Sequence, residues 1–190
     1  MPTRLTVVNG AFRILKEPAL VSLDEDLHAA RQAKDAFEEA TRACLERDNW
    51  NFASRRTSLT KLAPPISGFR FAYQKPSDWL RTIVVSQDER GDGRAQWQDE
   101  QGAIVTDIDP CYLRYLSTDW ISARIGDWPQ TFADYVSSEL AFRIAGPVTR
   151  DDKAIEMADA VRSKNLRVAQ GFDTMQNAEP RMPRGRWVAS

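Results

Sequence analysis

At Glu46-Arg47-Asp48-Asn49-Trp50-Asn51-Phe52-Ala53 the chain changes its period. Upstream, Ala29, Ala33, Ala36, Ala40 and Ala43 recur at alternating separations of four and three, flanked by Leu27, Phe37, Cys44 and Leu45. That spacing lays a stripe of small residues on one helix face, which a second helix can approach closely while the larger side chains fill the sides. Downstream, from Arg55 to Trp120, apolar residues alternate as strands require. A helical part and a β part therefore meet at one polar-aromatic junction. Trp50 and Phe52, on alternate positions, are the candidate residues of the seam between them.

Elsewhere the pattern predicts three further helices. Leu5, Val8, Phe12 and Leu15 mark the first, weakened by Gly10 and ended by Pro18. The second is expected from Ser22, with Glu25 completing a capping box, to about Asp48. After Asp127-Trp128-Pro129 a third carries Phe132, Val136, Leu140 and Ile144 and is expected to stop at Gly146-Pro147. Thr149 and Asp152 open a fourth with Ala154, Ala158, Val161, Val168 and Phe172. Between the pairs, Phe69 to Tyr73, Leu80 to Val85, Ala103 to Ile108 and Tyr112 to Leu116 read as strands, and the polar span Gln87 to Gln101 reads as an exposed loop or hairpin tip. Connections this short favour antiparallel pairing. The expected fold is α+β: a four-helix bundle from 1–49 and 127–174, a small antiparallel β subdomain inserted at 50–126, and an extended C-terminal tail at 175–190. In that tail Arg181, Arg184, Arg186 and Trp187, opposed only by Glu179, form a candidate anchor for a partner surface.

Composition narrows the function more than it names one. A formal net charge of -1 argues against a general nucleic-acid or membrane-surface binder, since no overall positive field is present. No apolar run is long enough to span a bilayer, and Met1-Pro2-Thr3-Arg4-Leu5 lacks the apolar core of a secretory signal. Cys44 and Cys111 share no metal-like spacing with each other or with His28, the one histidine, and are expected to be buried free thiols. His28, beside Asp24 and Asp26 near a helix start, reads as an exposed or capping residue. Gly91-Asp92-Gly93 is not followed by the Lys-Ser/Thr and helix of a phosphate loop. The pairs Asp88-Glu89 and Asp99-Glu100 are adjacent, whereas a glycosidase needs carboxylates facing each other across a cleft. Trp79, Trp97, Trp120 and Trp128 suit core or interface anchors better than a sugar platform. No cofactor or metal is expected, and no catalysis.

Several stretches, in order, resemble the head-to-tail adaptor of short-tailed phages, the tail tubular protein A family, which also occurs in prophages. They are Val8 to Pro18; Val21-Ser22-Leu23-Asp24 leading into the long helix; Arg47-Asp48-Asn49-Trp50-Asn51-Phe52 at its exit; and Ile104-Val105-Thr106 with Leu113-Arg114-Tyr115 before the Trp128-Pro129 helix. Lys16 departs from the family, which usually has glycine before the Glu-Pro pair. The resemblance implies a virion structural protein of the head-tail junction, assembled in the host cytoplasm as a homo-oligomeric ring of twelve subunits. Its partners would be the portal protein above and the tail nozzle or next tail component below. Double-stranded DNA would pass transiently through its lumen without sequence-specific binding, and no membrane would be involved. The second helix, with eight carboxylates against four basic residues between Asp24 and Asp48, would face a basic neighbour in such a ring. A phage-encoded cell-wall hydrolase and a monomeric protein-binding module are the alternatives.

Overall fold

The computed structural model describes residues 1–63, 65, 68–91 and 93–176. The first helix, α1 (Arg4–Leu15), starts where Thr3 caps it: the Thr6 amide donates to Thr3 Oγ1, and the Thr3 amide donates back to Thr6 Oγ1. It ends at Lys16, which adopts the left-handed conformation (φ 60°) while the Glu17 amide reaches back to Phe12 O at 2.9 Å. This is the turn that glycine ordinarily occupies. Helix α2 (His28–Glu46) begins six residues later than the Ser22 capping box suggests. Glu25 Oε1 instead accepts from the Val21 and Ser22 amides, and Ser22 Oγ accepts from the Asp24 amide, so those residues close a separate turn. Phe37 and Ala30, Ala33 and Ala40 are fully buried on α2, while Ala29, Ala36 and Ala43 lie at the edges of the seam.

Six strands follow. β1 (Ser54–Ser58), β3 (Trp79–Ser86) and β6 (Tyr112–Ser117) make one antiparallel sheet with β6 in the centre; β2 (Phe71–Gln74), β4 (Trp97–Glu100) and β5 (Ala103–Thr106) make a second with β5 in the centre. Strand β4 lies inside the span expected to be loop. Its residues Trp97 to Glu100 are polar on the outside, yet they pair in register with Thr106 to Ala103 through the turn at Gln101-Gly102, both at positive φ. A short helix α3 (Asp119–Ser122) and one 3-10 turn (Ile125–Asp127) lead into α4 (Gln130–Thr149), and Asp151 then caps α5 (Asp152–Met175).

The architecture corrects the expected one. Five α-helices and two three-stranded sheets form a mixed α+β fold among the described residues, not a four-helix bundle carrying a small inserted subdomain. The reason lies in the core: Leu80 and Leu116 of the first sheet, with Trp120 and Ile121 of α3, are buried in one cluster with Phe12, Phe37, Phe132 and Leu140 of the helices. The helices need the sheet to complete their core, because an alanine-rich α2 supplies too little apolar volume alone. A smaller cluster of Tyr73, Val85, Ile104, Cys111, Leu113 and Tyr115 fills the space between the sheets.

Helix α4 is the hub. Helices α1, α2 and α5 all pack on it, and it is buried nearly all round, as its uniform apolarity requires. It also passes through Gly146-Pro147 instead of stopping there. Pro147 lies in the last turn, where only the Arg143 carbonyl loses its amide partner, and the helix ends at Arg150 in the left-handed region (φ 53°). Ser137 and Ser138 are buried in α4 and return their hydroxyls to the backbone: Ser137 Oγ donates to Val7 O and Ala133 O, both at 2.9 Å, and Ser138 Oγ to Tyr135 O at 2.7 Å. Glu139 is nearly buried between Arg143 (Nε at 2.8 Å) and Arg162 (Nη1 at 3.3 Å), and Arg143 also reaches Glu39 at 2.8 Å. Glu139 thus ties α4 to α5, and Arg143 carries the tie on to α2 through Glu39.

Candidate functional site

The junction is the most connected polar segment of the chain. Helix α2 ends at Glu46, and from Asp48 to Asn51 the residues find partners on α2, α5, β3 and β6. Asp48 Oδ2 accepts from Gln170 Nε2 of α5 at 2.6 Å. Arg81 of β3 donates from Nη2 to Asp48 O at 2.6 Å and to Asn49 Oδ1 at 2.8 Å. Asn51 donates from its amide (2.9 Å) and from Nδ2 (2.7 Å) to the Asp173 carboxylate, while its Oδ1 accepts from Arg114 of β6 at 2.9 Å. Burial pushes the Asp173 carboxyl above its ordinary range and Asp48 adds to this, against the opposing Asn51 hydrogen bonds.

Between these polar ties sit the two aromatic residues. Trp50 is buried, its Nε1 donating to Cys44 O at 2.9 Å and its ring meeting Phe132 edge-on at 5.1 Å. Phe52 is half-buried and packs edge-on against Phe132 (4.9 Å) and Trp120 (5.1 Å). Trp128 completes the cluster, stacked on Phe37 at 6.5 Å and edge-on to Phe132 at 5.2 Å. Both junction residues therefore reach α4 directly, and the segment joins α2, α4, α5 and the first sheet.

Cys44 is fully buried beside Tyr135, and burial first, then Glu139, holds its thiol well above the usual range, so it stays protonated. Cys111 is buried as well, its thiol raised to about 11. His28 is exposed at the first position of α2. Among the described residues no three histidine, cysteine or acidic side chains gather as a metal site would need. The cavity between α2, α4 and α5 is about 210 Å³, and Glu139 and Arg162, which line it, are engaged with each other. Trp120 and Trp128 are core residues; Trp79 and Trp97 pack on the smaller cluster between the sheets.

No protein-family model matches this chain, and no curated protein matches it.

The tail residues Arg181, Arg184, Arg186 and Trp187 lie outside the described residues. The helix before them carries a feature that sequence reading assigned to the core. On α5 only Ala158 and Ala169 are fully buried, whereas Met157 (39 %), Val168 (50 %), Phe172 (41 %) and Met175 (85 %) are exposed. With half-buried Val161 they lie at helical spacing along one flank of α5, in a stripe that Lys164 interrupts between Val161 and Val168. Periodicity showed the stripe but not which of two adjacent apolar faces meets α4, because the alanine face packs closer. Asp48–Gln170 and Asn51–Asp173 were missed for a different reason: each pair is 122 residues apart, and no local pattern signals it. Glu139–Arg143 at four-residue spacing and Asp159–Arg162 at three are the members of the ion network with a local sequence signal.

Proposed function

We propose that this protein is a head-to-tail adaptor subunit of a short-tailed phage or prophage particle. In this reading it assembles into a ring beneath the portal, extends the DNA channel, supports the tail and performs no catalysis. The observation that carries the assembly part is the apolar stripe on α5. Large apolar side chains exposed along one helix face mark an interaction surface, and these, with Lys164 among them, run to the end of the last described helix.

A neighbouring copy fits it by charge. Lys153 at the start of the stripe and Lys164 within it make no ion pair among the described residues, while Asp35 and Glu38 on the outer face of α2 make none either. Stripe and acidic face belong to different helices, so a contact between them is head-to-tail, the geometry from which rings close. The tightly tied junction supports the same role, since a subunit that bears load between two assemblies needs its helices and sheet held as one body.

Native mass spectrometry with and without portal protein tests the reading. A ring in the presence of portal is the expected result, and the double variant Val168→Asp/Phe172→Asp should melt at the same temperature yet fail to assemble. A chain that stays monomeric with portal present overturns the adaptor reading, and clearing of cell walls by the purified chain would replace it with the hydrolase.

A further inference from the structure

Where it extends past the helices, the face of the first sheet that carries Arg56 and Arg114 concentrates positive charge that the net charge of -1 conceals. Arg56 of β1 and Arg114 of β6 stand directly opposite each other in the antiparallel register. Like charges in that position destabilise a sheet. Arg90 and Arg94, from the turn between β3 and β4, line the same shallow cavity of about 230 Å³, with Glu89 as the one acidic residue of its described lining and Asp88 beside it, engaged by the Gly91 and Gly93 amides. Arg56, Arg90 and Arg94 are exposed, and among the described residues their guanidinium groups make no ion pair or hydrogen bond. Arg114 is half-buried and anchored through Nη2 to Asn51, but its Nε is buried without a partner. Burial and then the proximity of Arg56 lower the Arg114 pKa, so the cluster is held together at an electrostatic cost.

We infer that this arginine face is a contact surface for the phosphate backbone of double-stranded nucleic acid. Four guanidinium forks and no lysine suit phosphate oxygens, which they bind through paired N–H donors. A protein partner fits less well, because protein interfaces centre on large apolar and aromatic anchors, and the described lining offers only Val84, Leu113 and half-buried Tyr112 beside its charged residues. Single strands need aromatic platforms for their bases, and the cavity offers one half-buried ring, Tyr112. The inference deepens the adaptor reading, on which the identity of the duplex as channel DNA rests. Contacts this few are weak at physiological salt, which suits DNA that must slide.

The test measures anisotropy of a labelled DNA duplex of mixed sequence across a salt series. Binding at about 50 mM salt that is largely lost by about 200 mM, with a log–log slope near -3, is expected for three or four phosphate contacts. Arg56→Glu/Arg94→Glu, which removes no internal bond, should weaken binding at least tenfold and reduce the slope by about 2. The control Arg13→Glu/Arg150→Glu, with the same charge change at exposed positions elsewhere, should bind nearly as the parent chain does. Absence of duplex binding at low salt, equal loss in the control pair, or binding of polyglutamate in place of DNA each overturns the inference. Assembly with portal, scored separately on the same variants, tells failure of this surface from failure of the adaptor reading.

Discussion

Gly10 sits in the middle of α1, where alanine would ordinarily be better by roughly 1 kcal/mol because glycine loses more backbone freedom on folding. Here the opposite is expected. A Cβ built on Gly10 would lie 2.6 Å from Ser137 Oγ and 3.0 Å from Ser137 Cβ, well inside van der Waals contact. The hydroxyl cannot simply turn aside, since it donates to Val7 O of α1 and Ala133 O of α4. Swinging it away forfeits one or both bonds, about 1 kcal/mol each. Moving α1 outward instead loosens Val8, Ala11 and Phe12, all fully buried, and overpacking of this kind costs roughly 1–3 kcal/mol. The losses exceed the propensity gain, so Gly10→Ala should destabilise by about 1–3 kcal/mol. Denaturant titration followed by tryptophan fluorescence reads this directly. Adding Ser137→Ala removes the closer of the two clashing atoms and should recover a good part of the loss, giving a coupling of about 1 kcal/mol or more in the double-mutant cycle. If Gly10→Ala alone is as stable as the parent, α1 does not need its close approach to α4 and the packing argument is wrong.

Four other substitutions probe separate features. Lys16→Gly should raise stability by about 1 kcal/mol in the same titration, because the left-handed turn that ends α1 costs a side-chain-bearing residue that much; no gain would mean that Lys16 makes compensating contacts. Trp50→Ala should cost about 3–5 kcal/mol, since the side chain is buried among Phe132, Tyr135 and Phe52, and a loss below 1 kcal/mol would place its role elsewhere. Glu139→Ala leaves Arg143 and Arg162 without their shared carboxylate and should cost about 3 kcal/mol or more, whereas an unchanged midpoint would show the network to be ornamental. For Asp78, burial opposes ionisation but hydrogen bonds from Ser117, Tyr115 and Arg55 outweigh it and hold the carboxyl below its ordinary range. Its contribution is therefore present above about pH 4 and is lost as the pH falls through the lowered folded value; Asp78→Asn should flatten the acid limb of the stability profile, and an unaltered limb would refute this.

The helical cores of α1, α2, α4 and α5 were legible because their apolar residues recur at a period that burial enforces. Limits were less so. Ser22 and Glu25 have the right spacing for a cap, and the structure spends them on a turn. Gly146-Pro147 reads as a stop, but a proline in the last turn disturbs too little to end α4 early. Strand β4 was hidden by its polarity, since backbone pairing with β5 and the Lys75–Asp99 ion pair, not apolar burial, hold Gln98 to Glu100 in the sheet. The larger misjudgement, a β subdomain standing apart from a bundle, followed from reading faces one element at a time. Leu80 and Leu116 alternate correctly for a strand, yet nothing local says that their inner side belongs to the helices. At the junction Trp50 and Phe52 stood out as aromatic residues in a polar stretch, whereas Asp173 and Arg114, which complete it, are ordinary charges in their own neighbourhoods.

The pairing of α1 with α4 also has a consequence for biosynthesis. Ser137 meets Val7 across 130 residues of chain, so the first helix made is among the last to find its place. At ribosomal rates of about 5–20 residues per second, Val7, Val8 and Phe12 remain uncovered for roughly ten seconds while the sheets and α4 emerge. The apolar face of α1 is thus a natural handle for a chaperone on the nascent chain. Closure of Asn51 onto Asp173 comes later still, which makes the junction a latch that shuts only once α5 has left the ribosome.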